Sequence, residues 1–299
     1  MRSKYSPVLS AIAVVLACGA GTFAAFTAFA TFTAFAASGG QACGTAENLC
    51  QTPLGEYAIE LPAKETSDPV PALLYFHGAG GSGPRSMRNT AMVKAFTTRG
   101  YAVIAPSGLK RPNSRFGPGW SFLPFRETQR DELKFAREIL SHAETRFNID
   151  RRNILLGGYS IGGSLSWYLA CRDPNLARGF APVAGAFWRP HPKPETCKGP
   201  VRLLHTHGWR DGTVPLEGRP LAGGRIYQGD VFAGLRILRV VNGCSQLRAD
   251  KFDTSGEFWR RIWTKCTPGS ALELALHKGG HKVPSEWADM AIDWFESLD

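Results

Sequence analysis

The chain has no C-x-x-C pair, no run of Lys and Arg, and no Pro/Ser-rich linker in its 299 residues. Each gap removes a class of protein. Without C-x-x-C there is no signature of a zinc ribbon or a dithiol redox site. His205 and His207, in "HTH", invite a metallohydrolase reading. No third His, Cys or carboxylate follows them at ligand spacing, so no metal site is expected. The formal net charge is +10, yet there is no recognition helix and no interleaving of aromatic with basic residues. The charge is therefore read as a solvated surface property and nucleic acid is excluded as a partner. Without a linker, the residues beyond the N-terminal segment form one large α/β domain around a sizeable core.

That N-terminal segment has the features of an export signal. Arg2 and Lys4 are followed by an apolar, low-complexity stretch from Val8 to Ala36, and Ala34-Phe35-Ala36 supplies a small-residue cleavage site. Val15-Leu16-Ala17-Cys18 has lipobox character, but the apolar run continues well past Cys18, which argues against lipidation. The run is also long enough to span a bilayer as an uncleaved anchor. The expected outcome is cleavage after residue 36, a secreted or periplasmic protein of residues 37–299, and no stable membrane association afterwards. Cleavage removes Cys18. The even set that remains, Cys43, Cys50, Cys171, Cys197, Cys244 and Cys266, reads as disulfides in an exported chain.

Strand and helix signals alternate after that. Strands are expected at Tyr57–Leu61, Ala72–Phe76, Tyr101–Ala105, Asn153–Leu156, Gly179–Val183, Val201–His205, Phe258–Trp263 and Leu272–Leu276. Helices are expected at Ser86–Thr98, Thr128–Phe147, Ser160–Cys171, Val231–Val240 and Pro284–Leu298, the last with Pro284 near its first turn, and Ser107–Pro124 reads as a loop. The alternation predicts a mostly parallel central sheet with helices on both faces.

The stretch "GGYSIGG" lies where a strand gives way to a helix. Gly158, Ser160 and Gly162 satisfy G-x-S-x-G, in which a strained turn lifts a serine hydroxyl clear of the backbone. A serine needs a base, a group to orient that base, and donors for an oxyanion. For the acid, Asp211 follows a strand in "VRLLHTHGWRDGTVP", while Asp173, Asp230, Asp250 and Asp253 fall in turn or helix-end contexts. For the base, His281 stands on a Gly-Gly loop after the last strand, where an imidazole can swing over the sheet; His277, at the strand's end, is the competitor. Ile161, next to the nucleophile, and Ala79, in "HGAGG", are the expected N–H donors, with His77 bracing that loop. Trp120 and Trp209, with Trp188, are candidates for an aromatic or sugar-facing substrate pocket, core or rim packing being the competing role.

Together these segments resemble the α/β-hydrolase superfamily, and within it the secreted esterases that include polyhydroxybutyrate depolymerases and feruloyl or acetylxylan esterases. The resemblance rests on "YFHGAGGSG", "GGYSIGGSLSWYLAC", "APVAGAFW", "HTHGWRDGTVP" and "GGHKVP", and covers roughly residues 43–296. It implies an α/β-hydrolase fold, a Ser160–His281–Asp211 triad, an acyl-enzyme, an ester substrate and no cofactor. The chain departs from the family at Ala79, where depolymerases often carry Cys, at Ile161, usually Asn or Met, and at Lys282-Val283-Pro284, commonly Trp-Pro. The expected disulfides are Cys43–Cys50, Cys171–Cys197 and Cys244–Cys266; short separations motivate the first and third, and the resemblance supports the third. No polymer-binding module is recognised in these residues, so soluble esters, such as short-chain or aromatic acyl esters of sugars, are expected over crystalline polyester. A peptidase of the same fold and a non-catalytic binding protein are the alternatives.

Overall fold

The computed structural model describes residues 43–64, 66–112 and 117–298. The expected signal segment, with Cys18, lies outside the described residues. Ten strands form one sheet: β1 (Cys50–Thr52), β2 (Gly55–Glu60), β3 (Val70–Phe76), β4 (Ala102–Pro106), β5 (Ile149–Tyr159), β6 (Gly179–Val183), β7 (Arg202–Gly208), β8 (Lys251–Asp253), β9 (Phe258–Trp263) and β10 (Ala271–His277). Their spatial order is β1-β2-β4-β3-β5-β6-β7-β10-β9-β8. The six central strands, β4 to β10 in that order, are parallel, and an antiparallel pair closes each edge. The architecture is that of an α/β-hydrolase.

Alternate residues of the central strands enter two separate cores. Leu74 and Phe76 pack with α3 (Glu132–Phe147), α4 (Ile161–Arg172) and α5 (Val231–Val241), while Leu73 and Tyr75 pack with α2 (Thr90–Thr98) and α6 (Trp287–Glu296). Burial on both faces explains why these strands read as continuous apolar runs rather than alternating ones. The parallel register brings the carboxyl ends of β3, β5, β6, β7 and β10 to one rim. Phe76 faces Gly158, Gly158 faces Pro182, and Gly208 faces His277.

Several boundaries differ from the sequence expectation. The helix expected at Ser86–Thr98 is two helices, α1 (Gly83–Met87) and α2, because the Asn89 side chain accepts from Met92 N–H and starts a new helix. The helix expected from Thr128 begins only at Glu132, where Asp131 accepts from Leu133 and Lys134 N–H. Pro284 is not in the first turn of α6; its carbonyl accepts from Trp287 N–H, where the helix begins. The Ser107–Pro124 loop contains a short hairpin, Leu109–Lys110 against Pro118–Gly119. Cysteines are joined 43 to 50, 171 to 197 and 244 to 266. Among the described residues no helix is long and apolar enough to cross a membrane.

A buried ion pair anchors the start of α3. Arg130 Nη2 lies 2.9 Å from Glu132 Oε2, with both side chains almost fully enclosed. Glu132 also accepts from Ser121 N–H at 2.8 Å, and the Arg130 guanidinium donates to Leu54 O and covers the Phe135 ring at 3.7 Å. Every donor and acceptor has a use, so removing one partner strands the other. Glu132→Leu should therefore cost about 3–5 kcal/mol of unfolding free energy in urea. A loss below about 1 kcal/mol would show that the pair does not hold this corner.

Candidate active site

Ser160 sits between β5 and α4 with φ 57° and ψ −120°, a conformation that L residues rarely adopt. Its N–H donates to Val183 O and its carbonyl accepts from Ser164 N–H, so the backbone has no freedom to relax. The turn closes because its neighbours lack side chains. A Cβ on Gly158 would lie 2.6 Å from Gly162 O and 2.8 Å from Phe76 O, and one on Gly162 would overlap the Phe76 carbonyl. The result is a hydroxyl lifted above the sheet rim.

Two loops, after β7 and β10, extend a hydrogen-bonded line from that hydroxyl. His281 Nε2 is 2.9 Å from Ser160 Oγ, and His281 Nδ1 is 2.7 Å from Asp211 Oδ2. The β7 and β10 ends are tied together by Trp209 N–H to His277 O and Arg210 N–H to Gly279 O, which sets Asp211 against His281. Tyr159 packs its ring 4.9 Å from the imidazole of His281 and donates its hydroxyl to the His281 carbonyl. The three residues named from the sequence are thus brought into one hydrogen-bonded line.

Asp211 is fully enclosed. Burial, the largest single influence, pushes its carboxyl up. Hydrogen bonds from His207, His281 and Val214 N–H outweigh it and hold the group well below the usual carboxylate range. Thr213 and Val214 N–H both donate to Oδ1. His207 Nε2 stands 3.4 Å from Asp211 Oδ2 and 2.8 Å from Val214 O. The partners fix its tautomer. Trp167 Nε1–H can only donate, and it faces His205 Nδ1 at 3.3 Å; His205 Nε2–H then donates to His207 Nδ1 at 2.9 Å, leaving the His207 Nε2 proton aimed at Val214 O and Asp211. Sequence reasoning placed His205 in a strand and gave His207 no role. The signal was there: residues two apart on a strand share a face.

His277 lies apart from the triad line: its Nδ1 accepts from Gly279 N–H and its ring is buried. Asp173 pairs with Arg137, Asp230 caps α5, and Asp250 and Asp253 accept from nearby backbone N–H groups. Ala79 and Ile161 both line a cavity of about 50 Å³ beside the serine. Trp120 lines the same cavity, buried, with its Nε1–H on His77 O. Trp209 is more than half exposed, leans on Trp259, and lines neither cavity at the triad. Trp188 donates to Ser164 Oγ at 3.4 Å beneath α4. Among the described residues no cluster of three His, Cys or carboxylate side chains is placed to hold a metal ion.

A family model described as phospholipase/carboxylesterase matches residues 57–223, more than half of the chain. The chain belongs to that family. Among curated relatives it is 25% identical over 163 residues to feruloyl esterase B of Piromyces equi, covering 54% of this chain and 30% of that one. It is 22% identical over 236 residues to a probable feruloyl esterase C of Aspergillus niger, covering 76% of each. The chain spans less than half the length of the first curated relatives it matches, 42%, 20% and 30% of them. The acetyl xylan esterase from Aspergillus awamori superposes with a TM-score of 0.62 at 16% identity, over 81% of this chain and 93% of that one. An S-formylglutathione hydrolase from Agrobacterium tumefaciens superposes with a TM-score of 0.56 at 15% identity, over 84% and 94%. At such identities these two likenesses establish the fold.

His77 braces the Ala79 loop: its Nδ1–H donates to Gly78 O at 2.7 Å and its Nε2 accepts from Gly108 N–H at 2.9 Å. The second bond needs the neutral ring, because a protonated Nε2 cannot accept; burial is the chief cause that pushes the pKa from 6.5 down to about 4, against the Gly78 bond, which favours the charged form. The unfolded chain takes up this proton near pH 6.5 while the folded one resists until about pH 4. The stability His77 contributes is therefore complete above 6.5 and lost as pH falls toward 4, at a cost of about 3 kcal/mol. Urea unfolding at about pH 7 and about pH 4.5 should show this decline, and His77→Gln, which keeps a donor and an acceptor, should flatten it. Equal pH dependence in the two proteins would contradict the assignment.

Proposed function

We propose that this protein is an exported serine carboxylic-ester hydrolase that works through an acyl-enzyme, with residues 37–299 as one catalytic domain. The observation that carries the reading is the unbroken hydrogen-bond line from Ser160 Oγ through His281 to the enclosed carboxylate of Asp211. His281 takes the Ser160 proton as Oγ attacks the ester carbonyl. The first N–H groups of α4, beginning with Ile161, have no helical acceptor and carry the positive end of the helix dipole. With Ala79 N–H from the β3 loop, Ile161 N–H receives the oxyanion. The imidazolium then protonates the departing alcohol, and the same ring activates the water that hydrolyses the acyl-enzyme. Asp211 holds the Nδ1–H tautomer, and His207 holds Asp211.

Family membership and the esterase names of the relatives support ester substrates; the preference for soluble acyl esters of sugars over crystalline polyester is part of the proposal. Three disulfides are consistent with an extracellular setting. Ser160→Ala should lower kcat on 4-nitrophenyl butyrate by about 10⁴-fold or more with an unchanged Tm, and His281→Ala should do the same. His277→Ala should lose less than about tenfold, since its ring lies outside the line. An active His281→Ala beside an inactive His277→Ala would overturn the base assignment, and faster cleavage of a matched anilide than of the ester would favour a peptidase.

A further inference from the structure

Two cavities flank Ser160 and differ in size; each is lined by two cationic side chains, which in the larger are the exposed Arg85 and Lys282. The larger, about 440 Å³, is lined by Tyr159, His281, Lys282 and Val283 on one side and by the Gly78–Ala79 loop on the other. The smaller, about 50 Å³, is walled by Ile161 and Ala79 and by Leu109, Trp120 and Leu123. Arg111 and Arg126 complete it. If the serine-hydrolase reading holds, on which this inference rests, the two cavities have fixed assignments. The leaving alkoxide takes its proton from His281 Nε2, so the alcohol occupies the cavity that His281 lines. The other substituent of the carbonyl carbon is left the small cavity, whose wall contains both oxyanion donors.

That acyl pocket is much the smaller of the two. Its sides are apolar, yet Arg111 and Arg126 line it and, among the described residues, no carboxylate does. Arg111 Nη2 is buried and has no hydrogen-bond partner among the described residues. Among the described residues neither Arg111 nor Arg126 forms an ion pair. A buried donor left unmatched in the free protein is a standing cost that a bound acceptor removes. A guanidinium fork matches a carboxylate, which takes two parallel N–H bonds, better than it matches any neutral group of similar size.

We propose that the acyl pocket selects short chains that end in a carboxylate, so that the favoured substrates are hemiesters of small dicarboxylic acids. The apolar neck formed by Leu109, Trp120 and Leu123 holds the methylene carbons, and Arg111 receives the terminal carboxylate, with Arg126 adding charge at the rim.

The test compares initial rates by pH-stat on monoethyl malonate against ethyl butyrate and on monoethyl succinate against ethyl pentanoate, pairs matched in length. For the wild type, kcat/KM on the hemiester should exceed that on its neutral partner by about tenfold or more. Arg111→Gln should reduce this ratio about tenfold, and Arg111→Lys should restore part of it. Free succinate should also compete with ethyl butyrate more strongly than free pentanoate does, a wild-type measurement that needs no variant. Neutral esters turned over as fast as hemiesters, or a ratio that Arg111→Gln leaves in place, would overturn the pocket assignment while leaving the ester-hydrolase reading intact. Turnover of none of the four esters, or turnover that survives Ser160→Ala, would overturn that reading and the pocket with it.

Discussion

Ser160 is held in a backbone conformation that costs of order 1–3 kcal/mol, and the whole site is arranged around keeping it there. The strain persists because hydrogen bonds to Val183 and from Ser164 clamp the turn on both sides, while bare glycines let β3, β5 and α4 approach within contact distance. Relaxing the turn would break both bonds and uncover the β3 rim. One consequence is geometric: the hydroxyl and the first N–H groups of α4 end up on the same side of the sheet. A single turn thus supplies both the attacking oxygen and a donor for the charge that develops opposite it.

The second constraint is a carboxylate with no access to water. An isolated charge in such a place is expensive, and Asp211 is kept ionised by donors on every side: two backbone N–H groups, His281, and His207. The Trp167–His205–His207 chain gives His207 a single available tautomer, with its proton directed toward Asp211 and the Val214 carbonyl. The two core histidines are thereby structural, and burial is the chief cause that holds the His205 pKa well below its usual value. The same pattern, "HTH", that invites a metal reading is explained by support for an acid.

The sheet, its parallel centre and its layers were legible in the sequence because burial on both faces writes long apolar runs such as "ALLYF" and "NILLGG". The elbow was legible because only glycine fits its neighbours. Boundaries that depend on a single capping side chain, Asn89 or Asp131, were missed, since the apolar period runs on through the break. Trp209 shows the limit for pockets. Its place after β7 suggests a substrate contact, but which way a rim side chain leans is decided by a partner, here Trp259 on β9. The arginines beside Ile161, which form no ion pair among the described residues, carry no local pattern; they meet the site where Leu109–Lys110 pairs with Pro118–Gly119.

The central claim is that Ser160 is a nucleophile activated by His281. Treating the folded protein with a fluorophosphonate ester and mapping the adduct by peptide mass spectrometry tests it most directly. The account predicts one adduct per chain, on the peptide containing Ser160, formed rapidly in the wild type and lost in His281→Ala. Labelling at another residue, or unchanged labelling of Ser160 without the imidazole, would contradict it.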